Sequence, residues 1–262
     1  MGNFEKNISI EYLRNSANQM MQLKELSYQL LDLSEPKKIV DIGCGPGIDT
    51  VAMAKLSHEE SHIIGVDFDQ AMIDAANEYA KQELVDSKVR HIKASAIELP
   101  FSEENFDAVR AERLFQVIPS TIASSQVIFN ELYRVLSLNG IMVLADTDWA
   151  TVSINFSDIE IERRFVRFFC DVCRPNGYAG RQFLELMNKA GMIDIEVFVV
   201  PIIMRQFNSQ FPLADWLVRE LKSHNKATDT EIDNWMTELT EKSEKGEFLA
   251  VANMNIVKGV KK

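Results

Sequence analysis

Hydrophobic positions alternate between two periods along the first half of the chain. Short apolar runs occur at Lys38 to Ile42, Ser61 to Val66, Val89 to Ala94 and Ile141 to Leu144, with a further run led by Asn105 to Val109 that ends at Arg110 to Arg113. Each has the length of a buried parallel strand. Between them apolar residues recur every three or four positions. Ile48, Val51, Ala52, Ala54 and Leu56 mark one helix, Ala71 to Leu84 a second and Thr121 to Leu136 a third, with a tight turn at Asn139-Gly140. Strand and helix in strict alternation predict a parallel, doubly wound α/β sheet.

The flanks follow other patterns. From Glu11 to Leu33 the residues Tyr12, Leu13, Met20, Leu23, Leu26, Leu30 and Leu31 predict one or two helices ahead of the sheet, ended by Pro36. Residues 1–10 read as loose. After the fifth strand come a helix from Tyr178 to Ala190 stopped by Gly191, and two apolar runs, Ile193 to Ile203 and Phe248 to Val257. Thr151 to Gly177 and Gln206 to Glu247 stand outside the alternation. They carry the capping-box patterns Ser157-x-x-Glu160 and Thr228-x-x-Glu231 and read as helical insertions. Lys258 to Lys262 reads as a solvated basic tail.

Composition narrows the function. A hydrophobic content of 46% suits a chain with a real core, and a net charge of -11 speaks against a nucleic-acid backbone or an anionic membrane as partner. No stretch has the length of a bilayer span and no signal-peptide pattern opens the sequence, so a cytoplasmic setting is expected. Three cysteines make no disulfide framework. Cys170 and Cys173, spaced Cys-x-x-Cys in a helix expected from Ile159 to Cys173, lack a second pair or a nearby His, so no metal is expected.

The chemistry concentrates at the first strand. Asp41-Ile42-Gly43-Cys44-Gly45-Pro46-Gly47 follows the apolar run and precedes a helix. Glycines let the backbone approach a ligand, and a helix start offers free N–H groups. A dinucleotide turn wants its third glycine where Ile48 stands. Asp41 at the strand tip suits a cationic ligand better than a pyrophosphate.

Asp-x-Gly-x-Gly-x-Gly resembles the first motif of the class I S-adenosylmethionine-dependent methyltransferases. Ser95-Ala96-Ile97-Glu98-Leu99-Pro100-Phe101 resembles that family's Asp-Ala-x-x-Leu-Pro-Phe loop, with Ser95 in place of the Asp, and Phe106-Asp107-Ala108-Val109 its Phe-Asp-x-Val run. The resemblance covers about residues 36–150 and points to the small-molecule branch near the ubiquinone-biosynthesis enzymes. It implies a Rossmann-like doubly wound sheet of seven strands, the last antiparallel, with helical lid insertions. The chain then divides into an N-terminal helical cap (1–35), an S-adenosylmethionine-binding core (36–150) and a remainder (151–262). The remainder completes the sheet at about 178–203 and 247–258 and inserts lids at about 151–177 and 206–246.

S-adenosyl-L-methionine is the cofactor this implies. Its expected contacts are Asp41, Gly43, Gly45, Asp67, Phe68, Ser95, Ala96, Ile97, Glu112 and Arg113, with Tyr12 and Arg14 as further candidates from the N-terminal helix. Asp67, at the tip of the second strand, suits two ribose hydroxyls, and Asp69 reads as a helix cap. Asp146, Asp148 and Trp149 end the fifth strand and, with Gln116, are candidates for the acceptor pocket. Asp146 and Asp148 are candidate proton acceptors. Of the four histidines, His58, His62 and His91 are placed away from the crevice, which leaves His224. The expected reaction is methyl transfer to an oxygen or nitrogen of a small molecule, catalysed mainly by positioning. The alternatives are a non-catalytic cofactor-binding module, a nicotinamide-dependent oxidoreductase, and a metalloid methyltransferase using Cys44, Cys170 and Cys173.

Overall fold

The structure is a computed structural model that describes Ile10, Glu11, Leu13 and residues 20–262. The candidates Tyr12 and Arg14 lie outside the described residues. The strands are β1 Lys38–Ile42, β2 His62–Asp67, β3 Val89–Lys93, β4 Phe106–Glu112, β5 Leu136–Ile154, β6 Ile193–Met204 and β7 Ala250–Val260. The helices are α1 Met21–Gln29, α2 Ile48–Leu56, α3 Gln70–Gln82, α4 Ser125–Val135, α5 Ile159–Phe168, α6 Phe183–Lys189, α7 Asp215–Ser223 and α8 Asp229–Glu244.

One seven-stranded sheet has the order β3-β2-β1-β4-β5-β7-β6. The first five strands pair in parallel, and β7 runs antiparallel to both β5 and β6. This is the expected seven-stranded sheet with a reversed last strand.

Successive residues of a strand point to opposite faces, and here both faces are covered. Val40, Ile42 and Val109 pack with Phe129 and Leu132 of α4 and Phe183 of α6. Ile39, Ile63 and Ala108 pack on the other side with Val51 and Met53 of α2 and with Leu23 and Tyr28 of α1. A third core lies beyond the sheet. Trp149 and Phe156, Phe165 of α5, Leu217 of α7, Trp235 of α8 and Phe248 close on one another there.

Several local expectations are corrected. Asn139-Gly140 does not form a separate turn, because β5 runs through it. Asn139 takes a left-handed φ of 61°, and the pairing steps from Phe106 with Leu136 to Ala108 with Ile141. Ser137 to Gly140 thus bulge opposite Asp107, held by the Asn139 N–H on the Lys261 carbonyl at 2.8 Å. The first insertion is not helical from Thr151. β5 continues to Ile154 because β7 pairs beside it as far as Ala250. α5 is capped by Asp158, whose carboxylate accepts from the Ile161 N–H at 3.0 Å, and Ser157 bonds Glu238 of α8 instead. The helix expected to Cys173 ends at Phe168 and widens into a π turn over Phe169–Cys173. The basic tail is not solvated. Lys261 is buried, and its Nζ donates to the carbonyls of Tyr133 and Leu136.

Candidate functional site

The turn after β1 is built as its glycines require. Gly43, Gly45 and Gly47 have φ of 78°, 51° and 80°, a region side chains rarely adopt. A Cβ on Gly47 would lie 2.8 Å from that of Ala76 and 3.2 Å from His91 Nε2. The N–H groups of Gly43 and Cys44 donate to the Val66 carbonyl, which fastens the turn to the tip of β2. From that tip Asp67 reaches back. One carboxylate oxygen accepts from the Gly45 N–H at 2.9 Å and the other from the Asp69 N–H at 3.0 Å. The turn and Asp67 are therefore one unit. Burial raises the Asp67 carboxyl, and those N–H donors oppose the rise. Asp69 caps α3 through the Ala71 N–H, as its sequence position suggests.

His91 is a correction. It lies under the turn rather than away from it, buried, with Nε2 2.8 Å from Thr50 Oγ1, and Thr50 in turn donates to the Gly47 carbonyl. Burial lowers its pKa to about 4, so it is neutral at physiological pH.

The rim of the crevice holds the other cofactor candidates. Phe68 is 57% exposed beyond Asp67. Ser95 is exposed, and its hydroxyl accepts from the Ile97 N–H at 3.4 Å. Ala96 is half-buried and Ile97 exposed. The Ala94 N–H on the Asp67 carbonyl joins this loop to β2, and Arg134 and Glu131 of α4 pin its far end at Phe101 and Leu99.

Beneath the turn lies a buried charge cluster. Asp41 and Arg110 are partners in the register of β1 and β4, and Arg110 Nη1 donates to Asp41 Oδ1 at 2.9 Å. Arg110 also pairs with Glu112 two residues on, and stands 3.4 Å from Asp49 at the start of α2. From α1, Lys24 Nζ donates to Asp49 at 2.8 Å and to Glu112 at 2.7 Å. Tyr28 bonds Asp49, and Ser27 accepts from Arg110 Nε. Arg113, with φ 54°, stands 3.5 Å from Glu112 at the rim. Asp41 Oδ2 is buried with no hydrogen-bond partner among the described residues. Burial pushes the Asp41 carboxyl up to about 6 against the pull of Arg110, whereas Arg110 and Lys24 hold Asp49 well below the usual carboxylate range.

The acceptor candidates form a second group. Asp146 is fully buried, and its oxygens accept from the Gln116 and Thr147 N–H groups at 3.0 and 2.9 Å. It anchors the segment after β4. Burial lifts it to about 7, opposed by those donors and by the charges of Arg113 and Arg174. The Trp149 indole donates to the Gln116 side chain at 2.5 Å. Arg174 lies across the rings of Trp149, Phe169 and Trp216, with its guanidinium 4.2, 5.3 and 4.8 Å from their centres. Asp148 is held by Arg181 through two bonds, at 2.7 and 2.8 Å. His224 sits at the end of α7, bonded to Ser223 and the Glu220 carbonyl and edge-on to Phe168; none of these is another candidate.

The structure thus joins Gly43, Gly45 and Asp67, joins Asp41 with Glu112, and joins Gln116, Asp146 and Trp149. Sequence reasoning missed Lys24, Asp49, Arg110 and Arg174. An arginine inside the otherwise apolar β4, on the same face as Glu112 two residues later, was the available signal. The cysteines are buried, and burial pushes the Cys170 and Cys173 thiols up to about 12 and raises Cys44, which disfavours thiolate ligation.

The orphan oxygen of Asp41, the open glycine turn and the strand-tip Asp67 fit a cationic adenosine cofactor. The chain matches a methyltransferase-domain family profile over residues 33–246. It is 28% identical over 187 residues to an uncharacterized 37.1 kDa protein in transposon TN4556 of Streptomyces fradiae, covering 69% of this chain and 49% of that one. It is 26% identical over 144 residues to the sterol 24-C-methyltransferase erg-4 of Neurospora crassa, covering 54% and 35%. The chain therefore spans half or less of these relatives' length. The fold is similar to that of the YcgJ protein of Bacillus subtilis, with a TM-score of 0.60 at 17% identity over 91% of this chain and 97% of that one. The chain belongs to the class I S-adenosylmethionine-dependent methyltransferase domain family.

Proposed function

We propose that this protein transfers a methyl group from S-adenosylmethionine to a small-molecule acceptor, mainly by positioning. The observation that carries this reading is the joint construction of the glycine turn and Asp67, with Asp41 beneath. When bound, the cofactor supplies an electrophilic methyl on a sulfonium. Asp67 and the loop Ser95 to Ile97, with Phe68, would hold its adenosine end; Gly43, Gly45, Asp41, Glu112 and Arg113 border its amino-acid end.

The protein's own task at the acceptor end is alignment and exclusion of water. Asp146 is fully buried, shut off from an acceptor beneath the Gln116 segment, and Asp148 is paired with Arg181. Neither is disposed to take a proton from an acceptor, so the acceptor's oxygen or nitrogen arrives already nucleophilic. The engagement of Asp148 weakens the case for an acidic, amine-selecting pocket. Gln116 and Trp149, bonded to each other, form its wall.

In this reading residues 1–35 cap the core of 36–150, and Leu13 lies 3.7 Å from where a Gly45 Cβ would stand. The insertions at about 151–177 and 206–246 cover the acceptor end, and their shared aromatic core makes them an ordered cover. The test is transfer of isotope-labelled methyl from S-adenosylmethionine to a panel of amines and hydroxylated small molecules. Labelled product with at least one member supports the reading. Tight cofactor binding with no transfer to any acceptor would favour a binding module.

A further inference from the structure

Asp41 is the least compensated carboxylate of the buried cluster. Glu112 is touched by Lys24, Arg110 and Arg113, and Asp49 by Lys24 and Arg110 with the Tyr28 hydroxyl besides. Among the described residues Asp41 has only a share of Arg110, on Oδ1. Its other oxygen is enclosed with no donor among the described residues, a costly state for an ionised carboxylate. The remaining groups that face it among the described residues offer no cation. The Cys44 thiol is raised by burial and by Asp41 and Asp67, and Tyr28 is raised by burial and by Asp49, so both stay neutral.

Among the described residues two cations, Lys24 and Arg110, therefore serve the three carboxylates inside the cluster, and Arg113 stands at the rim beside Glu112. A proton or an ammonium on Asp41 makes up the shortage. The same cluster fastens α1 to the sheet, because Lys24, Ser27 and Tyr28 are its contributions from that helix.

We propose that the cluster of Lys24, Asp41, Asp49, Arg110 and Glu112 makes cofactor binding proton-linked, the cofactor's ammonium group displacing a proton from Asp41 and tightening the hold on α1. The step balances: Asp41 loses one proton to solvent and gains the ion pair. It rests on the cofactor reading above. The sign is fixed by the free protein, in which Asp41 titrates at about 6. Below that pH the proton must be expelled and binding weakens; well above it little is released.

The test is calorimetric titration of the full chain with S-adenosylhomocysteine, which keeps the ammonium group, at pH 5 and pH 7 in buffers of different ionisation heat. About one proton is expected to leave at pH 5 and about a tenth of one at pH 7, with affinity about tenfold weaker at pH 5. Methylthioadenosine, which lacks the amino-acid end, is expected to bind without release. Hydrogen exchange of residues 21–29 should slow on adding the former and not the latter. Asp41→Asn should abolish both release and pH dependence, while Asp41→Glu should keep them. Binding that is equally tight at both pH values with no proton release would overturn the linkage while leaving the cofactor reading intact. Failure of S-adenosylhomocysteine to bind at either pH would overturn both.

Discussion

Asp67 shows how a single side chain orders the candidate site. Its carboxylate organises the Gly45 and Asp69 N–H groups before any ligand arrives, and each of its oxygens retains accepting capacity. Asp67→Ala removes two charge-assisted bonds and the expected ribose contact. Affinity for S-adenosylhomocysteine should fall at least tenfold, on the order of 1.5–3 kcal/mol, by calorimetry. Unchanged affinity would remove Asp67 from the site. Asp67 and the glycine turn were legible in the sequence because their geometry is local, set by a strand end and by positive φ. The charge cluster was not. Lys24 and Glu112 meet across 88 positions, and no local pattern records that α1 would lay Lys24 over the tip of β4. His91 was misplaced for a related reason. Its position on β3 follows from the apolar run, but its neighbour across the register is Gly65, where the absence of a Cβ admits the ring under the turn.

Among the elements, the aromatic extension differs most from the alternating pattern. α8 begins with a full capping box: Thr228 accepts from the Glu231 N–H at 3.2 Å, and Glu231 accepts from the Thr228 N–H at 2.8 Å. Four residues signal this start, and the sequence shows it plainly. Thr228→Ala is expected to cost about 1 kcal/mol in chemical denaturation. A loss confined to the extension should reduce acceptor turnover near the midpoint and spare cofactor binding; parallel loss of both would show the extension and the sheet to unfold as one. The Ser157 pattern looked equivalent but was superseded, because Glu238 of α8 takes both the Ser157 hydroxyl and N–H. A tertiary partner outbid the local cap, and Asp158 took the role one residue later. Likewise Asn139 has a left-handed φ, but the tight turn expected at Asn139-Gly140 is a bulge within β5, where the pairing with β4 shifts.

At the scale of the whole molecule, the alternation of short apolar runs and helices dictated the doubly wound sheet, while the order of its last two strands became visible only through pairing. Its buried carboxylates set the pH response of stability. Asp41 at about 6 and Asp146 at about 7 both titrate above an unfolded aspartate. Between about pH 4 and 7 the folded chain therefore holds more protons than the unfolded one. Stability from these two groups is present at the acidic end of that window and is lost as pH rises. Asp49 acts in the opposite sense only at lower pH, since its folded value is depressed, while His91, lowered to about 4, opposes the two aspartates within the window and is outweighed by them. Unfolding temperature should accordingly fall from pH 5 to pH 7, and Asp146→Asn should flatten that slope. A slope of equal size in the variant would assign the effect elsewhere.

We propose that the turn between β1 and α2, with Asp41 and Asp67, binds S-adenosylmethionine-type cofactors and not nicotinamide dinucleotides. Calorimetric titration of the purified protein with S-adenosylhomocysteine at neutral pH, with NADH titrated in parallel, tests it most directly. Binding in the micromolar range by the former alone is the expected result. Binding of NADH, or of neither molecule, would contradict it.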